Sequence, residues 1–151
     1  HLLGPPGLVL RVLAGHPEPY EATLRALTAD LGLGERVIFA DWVSEADLEG
    51  LWSLADVAAF PTLAEGFGLP VVDAIARGVR IAASDLPVLR EIAADWPRYF
   101  DPHDPESVAQ AVGQALAAPL DPARGRAFAS PFRGANAENR TWAVYARAAD
   151  G

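Results

Sequence analysis

Residues 60–78 read FPTLAEGFGLPVVDAIARG, and this stretch decides the fold. Val57 to Phe60, just before it, is short, apolar and β-prone, so it reads as a strand that runs into Pro61 and Thr62. Glu65, Gly66, Phe67 and Gly68 make a glycine-bearing turn. Leu69 and Pro70 open a helix, because proline is tolerated in a first turn whose N–H groups have no partner within the helix. Val71, Val72, Ala74, Ile75 and Ala76 give that helix a broad apolar face, and Gly78 is placed to end it as a C-cap.

Such a turn has a specific chemistry. Glycines let the backbone approach a ligand closely. The first N–H groups of the helix point outward and, with the helix dipole, favour a phosphate. The Glu65 carboxylate precedes the helix, and Asp73 follows eight residues later, about one turn into it. Two carboxylates flanking a phosphate-binding helix start suit a ligand carrying both hydroxyls and phosphates, such as a sugar nucleotide. The alternative is that both acids sit near the N-terminus only to offset the dipole.

Outward from this stretch the chain alternates strands and helices. Gly7 to Leu13 reads as a buried parallel strand. Its C-terminal end carries His16, which either borders a ligand at the strand ends or is an ordinary loop histidine. Glu18 to Leu31 is an amphipathic helix with Leu24, Leu27 and Leu31 on one face, closed by Gly32 and Gly34. Val37 to Ala40 is the next strand. Trp42 beyond it flanks a base or packs in the core. Ser44, with Asp47 three residues on, is an N-cap for a helix marked by Leu48, Leu51 and Leu54.

After the central helix, Val79 to Ala83 reads as a strand, and Ser84 to Pro87 as the start of a short helix over Val88 to Ala94. Tyr99-Phe100 is a final short strand. Asp104 caps a helix over Ser107 to Leu116 with Pro105 at its first position. Residues 118–151 read as a Pro-, Gly- and Arg-rich loop (Ala118 to Ala135) followed by a helix with Trp142, Val144 and Tyr145. Strand and helix at this spacing imply an α/β fold: one Rossmann-like domain over residues 1–151, with a doubly wound parallel sheet covered by helices on both faces.

Composition excludes several classes. The chain has 151 residues, and 51% are apolar, enough for a real core. There is no run of 18 apolar residues to span a membrane. Cysteine is absent, so disulfide and thiolate chemistry are excluded, which fits a cytoplasmic protein. The net charge is -8, and the 12 basic residues, all arginine, are scattered, which argues against nucleic acid as a partner. The 3 histidines have no metal-ligand spacing. No Gly-x-Ser-x-Gly elbow or Walker loop is present, and Gly66 and Gly68 lack the third glycine of a dinucleotide fingerprint. Arg77 and Arg80 read as a solvated helix end.

The stretch from Glu65 to Gly78 resembles the E-x7-E signature of the GT-B glycosyltransferases, in the large retaining family 4 or group 1, whose consensus is close to EGFGLPxLEAMAxG. The likeness continues on both sides. Arg36 to Phe39 through Ser44, then Asp47-Leu48 and Ala55 to Val57, is similar to the family's RVxFxGxVS…L…ADV segment. Ile81 to Pro87 with Glu91, and Phe100 to Pro105, are similar to the segments that follow. The likeness covers about residues 8–117 and, more weakly, the tail. Asp41 stands where the family usually carries glycine, and Asp73 where it carries the second glutamate.

The resemblance implies the C-terminal, donor-binding half of a GT-B fold, with the first strand–helix unit absent. Glu65 is then the catalytic residue, contacting hydroxyls of the donor sugar. The backbone of Gly66, Phe67, Gly68 and Leu69 holds the sugar and diphosphate, and Asp73 faces the ribose. The reaction implied is transfer of a glycosyl group, with retention, from a nucleotide-diphosphate sugar to the hydroxyl of a glycan, lipid or small molecule. It implies no cofactor and no metal. The partner implied is the N-terminal GT-B domain, and exposure of the face it covers would favour self-association. The family's diphosphate-clamping Arg and Lys precede the Gly7–Leu13 strand, so the chain alone is expected to be inactive. Loss of one such contact costs about 2–3 kcal/mol. The full-length protein is expected in the cytoplasm, or at a membrane. Two other classes stay open: a related phosphorylase or epimerase, and a non-catalytic interaction module.

Overall fold

The computed structural model describes residues 20–40 and 43–132, together with the backbone of Leu10–Leu13. In chain order the elements are β1 (Leu10–Leu13), α1 (Tyr20–Asp30), β2 (Val37–Ala40), α2 (Glu45–Leu54), β3 (Val57–Phe60), α3 (Leu69–Arg77), β4 (Arg80–Ser84), α4 (Pro87–Ala93), β5 (Arg98–Phe100), α5 (Pro105–Ala117) and α6 (Pro122–Ala129), followed by a 3-10 turn over Ser130–Phe132. The chain divides into two compact units, His1–Leu51 and Trp52–Gly151.

In the first unit β1 and β2 pair in parallel, from Leu10 opposite Val37 to Leu13 opposite Ala40. Helix α1 ends where Gly32 takes φ 65°, with its N–H bonded to Ala29 O and the Leu33 N–H bonded to Thr28 O. That crossed pair is the Schellman ending that a left-handed glycine permits. The Arg25 guanidinium lies 4.4 Å from the Phe39 ring centre. Leu27 and Leu31, expected on an inner face, are 52% and 60% exposed. Ser44 and Asp47 form the expected cap. Ser44 Oγ donates to Asp47 Oδ2 at 2.7 Å and accepts from the Asp47 N–H at 3.1 Å.

The second unit is built on β4. Its neighbours are β3 and β5, both parallel, with Ala58 opposite Ile81 and Ala83 opposite Tyr99. Successive strand residues face opposite sides. Ile81 and Ala83 join a core with Val71, Ala74 and Ile75 of α3 and Leu89 and Ala93 of α4. Ala82 between them joins Phe100 with Ala111 and Ala115 of α5. So α3 and α4 cover one face of this sheet and α5 the other, as the doubly wound expectation requires. The buried alanines of β4, α3 and α5 let the helices sit close on the sheet, and the core is correspondingly small-residue in character.

Three stretches differ from expectation. Ser84 does not open a helix. It is the last residue of β4, fully buried, and its Oγ donates to Phe60 O at 3.3 Å. The chain turns only at Leu86, and Pro87 starts α4. The stretch from Ala118 to Ala135, expected as a loop, carries α6. Asp121 Oδ1 accepts from the Arg124 N–H at 3.0 Å, with Pro122 in the first turn, so it has the capping chemistry seen at Asp104. Arg80 is not solvated at a helix end. Its Nε donates to Ala118 O at 2.8 Å, where a cation offsets the C-terminal dipole of α5. The helix expected around Trp142 lies outside the described residues.

Candidate functional site

Parallel α/β sheets bind ligands at the C-terminal ends of their strands. At the end of β3 the turn from Glu65 to Gly68 leads directly into α3. Gly68 is the N-cap, at φ 94° and ψ 37°, and no side chain caps this helix start. Its carbonyl accepts from the N–H groups of Val71 and Val72, at 3.0 and 3.3 Å. A Cβ on residue 68 would stand 2.5 Å from Leu89 Cδ2, so both the backbone angle and the space demand glycine. Gly66 has no positive φ, and a Cβ there would meet nothing. Of the two glycines only Gly68 is dictated by the fold.

Glu65 folds back on its own turn. Its Oε1 accepts from the N–H of Gly66 at 2.9 Å and of Phe67 at 3.2 Å. The carboxylate therefore occupies amides that were expected to face a ligand. Asp73 is exposed on α3, with its Oδ1 3.2 Å from Arg77 Nη1 one turn on. The Arg77 guanidinium also lies 5.7 Å from the Trp52 ring centre. There is no acidic residue in the first turn of α3, so Asp73 stands too far along for the dipole-offsetting alternative. Three apolar residues of this stretch are exposed: Leu63 at 64%, Phe67 at 42% and Leu69 at 60%.

The surroundings are firmly tied. The Asp85 carboxylate holds Arg90 through both oxygens, with the Oδ2 contact at 2.7 Å, and Arg90 stacks on Tyr99 at 4.4 Å. The Arg90 hydrogen bonds hold the Asp85 carboxyl below its usual value. Burial pushes the Tyr99 phenol up, and its hydroxyl lies 3.0 Å from Leu89 O and 2.8 Å from Ala94 O. Glu65, Gly66, Phe67, Gly68, Leu69 and Asp73 thus share one turn and helix start. His16 and Trp42 lie outside the described residues. The Asp73–Arg77 pair was open to sequence reading through its i,i+4 spacing, whereas Phe132, which meets Phe67, sat in a stretch read as loop. Among the described residues no group of three or more His, Cys, Asp or Glu is placed to hold a metal ion, and no helix is long and apolar enough to cross a membrane.

The family described as glycosyl transferases group 1 matches residues 8–128. The chain is similar to the O-antigen chain mannosyltransferase RfbU of Salmonella typhimurium, 33% identical over 62% of this chain and 26% of that protein. It is similar to the D-inositol 3-phosphate glycosyltransferase of Corynebacterium diphtheriae, 32% identical over 89% of this chain and 32% of that one. Among solved structures it superposes on sucrose-phosphate synthase from Thermosynechococcus elongatus with a TM-score of 0.61 and 27% identity, over 78% of this chain and 31% of that one. WaaG, a glycosyltransferase involved in lipopolysaccharide biosynthesis, shares the fold with a TM-score of 0.58 at 23% identity, over 85% of this chain and 33% of that one. The chain spans between 26% and 33% of the length of these four proteins. The turn at Glu65–Gly68, the parallel sheet behind it and the match over 8–128 place the chain in the group 1 glycosyl transferases, as a GT-B glycosyltransferase domain.

Proposed function

We propose that residues 65–73 hold a nucleotide-sugar and that the chain is the donor-binding half of a retaining glycosyltransferase. The observation that carries this is the uncapped start of α3 at Gly68, a site for phosphate oxygens beside a carboxylate. In transfer, the bond from the sugar's anomeric carbon to the diphosphate breaks, a bond to the acceptor oxygen forms, and the acceptor's hydroxyl proton passes to the leaving diphosphate. The negative charge that develops on the leaving diphosphate faces the amides of the α3 start, and positioned donors count most there. No metal takes part in this reading.

Glu65 and the donor compete for the amides of Gly66 and Phe67. In this proposal Glu65 swings away on binding, releasing both N–H groups to the sugar and diphosphate, and its carboxylate then accepts from sugar hydroxyls. Asp73 accepts from the ribose, with Arg77 holding it in place. The acceptor is a hydroxyl of a glycan, lipid or small molecule, presented by an N-terminal GT-B domain, so these 151 residues alone bind donor weakly and do not turn it over. Exposed Leu27, Leu31 and Ile38 support self-association of the isolated chain. The proposal includes a cytoplasmic location, at a membrane surface for the whole protein.

The test is a titration with UDP, GDP and ADP, each with and without its sugar, followed by amide shifts of Glu65 to Val72. Similarity to a mannosyltransferase makes a mannosyl nucleotide the first donor to try. Shifts centred on these amides for one nucleotide support the reading. A folded chain with no shifts at millimolar ligand refutes the donor site and favours a non-catalytic module.

A further inference from the structure

Helix α6 runs along α3 in the opposite direction, and three contacts show its course. Pro122, at its start, packs on Gly78, where a Cβ would stand 2.9 Å away. One turn on, Gly125 lies on the Ile75 backbone carbonyl. Beyond its end, Phe132 meets Phe67 edge to face, with ring centres 5.9 Å apart and planes at 73°. Positions 122, 125 and 132 thus meet 78, 75 and 67 in reverse order. The strap covers the signature helix from its C-cap to its ligand turn.

The contacts at the turn end are aromatic and continuous. Phe132 stacks on Phe128 at 6.1 Å, Phe128 on Trp96 at 5.5 Å, and the Arg124 guanidinium lies 5.0 Å from the Trp96 ring centre. Phe128 and Trp96 pack in turn against the core of α3 and α4. Gly66 is open, Phe67 is 42% exposed, and the N–H groups of Gly66 and Phe67 are held by Glu65, which the donor must displace.

We propose that Phe132 is a positioning residue: through Phe67 it fixes the Glu65–Gly68 turn so that its amides stay aligned when Glu65 releases them to a ligand. The part concerning ligand rests on the donor-site reading, and the part concerning the turn does not. The strap adds a second anchor at Phe67, beside Leu89 at Gly68, and leaves the open face of Gly66 free.

The experiment has two arms on the same 151-residue chain. In the first, without ligand, amide hydrogen exchange is compared for wild type, Phe132→Ala and Phe132→Tyr. Exchange at Gly66 and Phe67, the amides that Glu65 holds, is expected to speed up roughly two- to tenfold in Phe132→Ala, the range that an aromatic pair of this geometry supplies. The amides of β4 and α5 are expected to keep their protection, and Phe132→Tyr to restore the turn. Unchanged exchange at the turn, or loosening spread equally over β4, overturns the proposal. Should Phe132→Ala fail to fold, Phe132→Leu removes the ring edge at near-constant volume, with the same expectation. In the second arm, wild type and Phe132→Ala are titrated with UDP, GDP and ADP. A severalfold weaker Kd for the nucleotide that wild type binds supports the role in ligand alignment, and an equal Kd overturns it. Wild type that binds none of the three refutes the donor reading alone, and the exchange arm still decides the strap.

Discussion

Gly125 of α6 lies so close to Ile75 of α3 that a Cβ on residue 125 would run into the Ile75 carbonyl oxygen. The contact is backbone on backbone, so neither side can yield by changing a rotamer. Gly125→Ala is expected to cost about 1–3 kcal/mol through overpacking. At about 2–4 °C per kcal/mol for a chain of this size, thermal unfolding would register it clearly. Gly113 in α5 is the control. It is exposed, helical and faces open space, so Gly113→Ala is expected to stabilise by about 0.8–1 kcal/mol. The two substitutions should move Tm in opposite directions.

The glycine pair at the turn separates in the same way. Gly68→Ala meets Leu89 and a φ of 94°, and the two penalties together come to about 2–5 kcal/mol. Gly66→Ala meets neither and is expected to change stability by less than about 0.5 kcal/mol. Denaturant midpoints for the two variants would show whether the pair is split in this way.

The sequence made some of these elements plain and hid others, for physical reasons. The caps at Gly78, Ser44 and Asp104 were legible because each depends on residues within four positions of itself. Strand β3 was legible as a short β-prone run with a proline after it. Helix α6 was not, because its sequence PARGRAFA has little amphipathic character and its place depends on Gly125 fitting α3, a contact fifty residues away in the chain. Ser84 was misread because a serine before proline is a common helix start, while its actual partner, Phe60 O, comes from a neighbouring strand. At the site, the cluster from Glu65 to Asp73 was legible from spacing. The engagement of both acids by the chain's own groups, Glu65 with its turn and Asp73 with Arg77, was not foreseen.

Ala94 sits at φ 46° and ψ -119°, and the Trp96 N–H bonds back to Ala93 O. This is the first central position of a type II′ turn, which favours glycine. Ala94→Gly is expected to stabilise by about 1 kcal/mol, since relief of the strained backbone exceeds the added freedom of the unfolded chain. A lower midpoint of urea unfolding than wild type would contradict it.

Two groups near the site make opposite pH predictions. Asp85 titrates below its ordinary 3.8 in the folded chain because Arg90 hydrogen-bonds its charged form. Its contribution is therefore present above about pH 4 and lost as the pH falls through the lowered value. Being largely solvated, the pair contributes little. Tyr99 titrates above its ordinary 10.0 because burial disfavours the phenolate. Its contribution is complete below pH 10 and lost as the pH rises through the raised value. Asp85→Asn should thus differ from wild type at pH 7 and converge with it in acid. Tyr99→Phe should flatten the alkaline limb of stability against pH and leave the acid limb alone.

Asp73 provides the sharpest separation of fold from function. Its side chain is 61% exposed, and its partner Arg77 lies on the same helix face at 3.2 Å. An exposed pair of this kind contributes only about 0.3–0.5 kcal/mol to stability. Asp73→Ala should therefore leave Tm within about 2 °C of wild type. If Asp73 accepts from ribose hydroxyls, the same variant loses a charge-assisted hydrogen bond to the ligand, about 1.5–3 kcal/mol or at least tenfold in Kd. Arg77→Ala tests whether the pairing helps or hinders. It leaves the carboxylate in place but no longer oriented, so the loss in affinity should be smaller than for Asp73→Ala. Calorimetric titration of the three proteins with the nucleotide that wild type binds would rank them. Equal affinity for wild type and Asp73→Ala would remove Asp73 from the site and leave it as a surface ion pair.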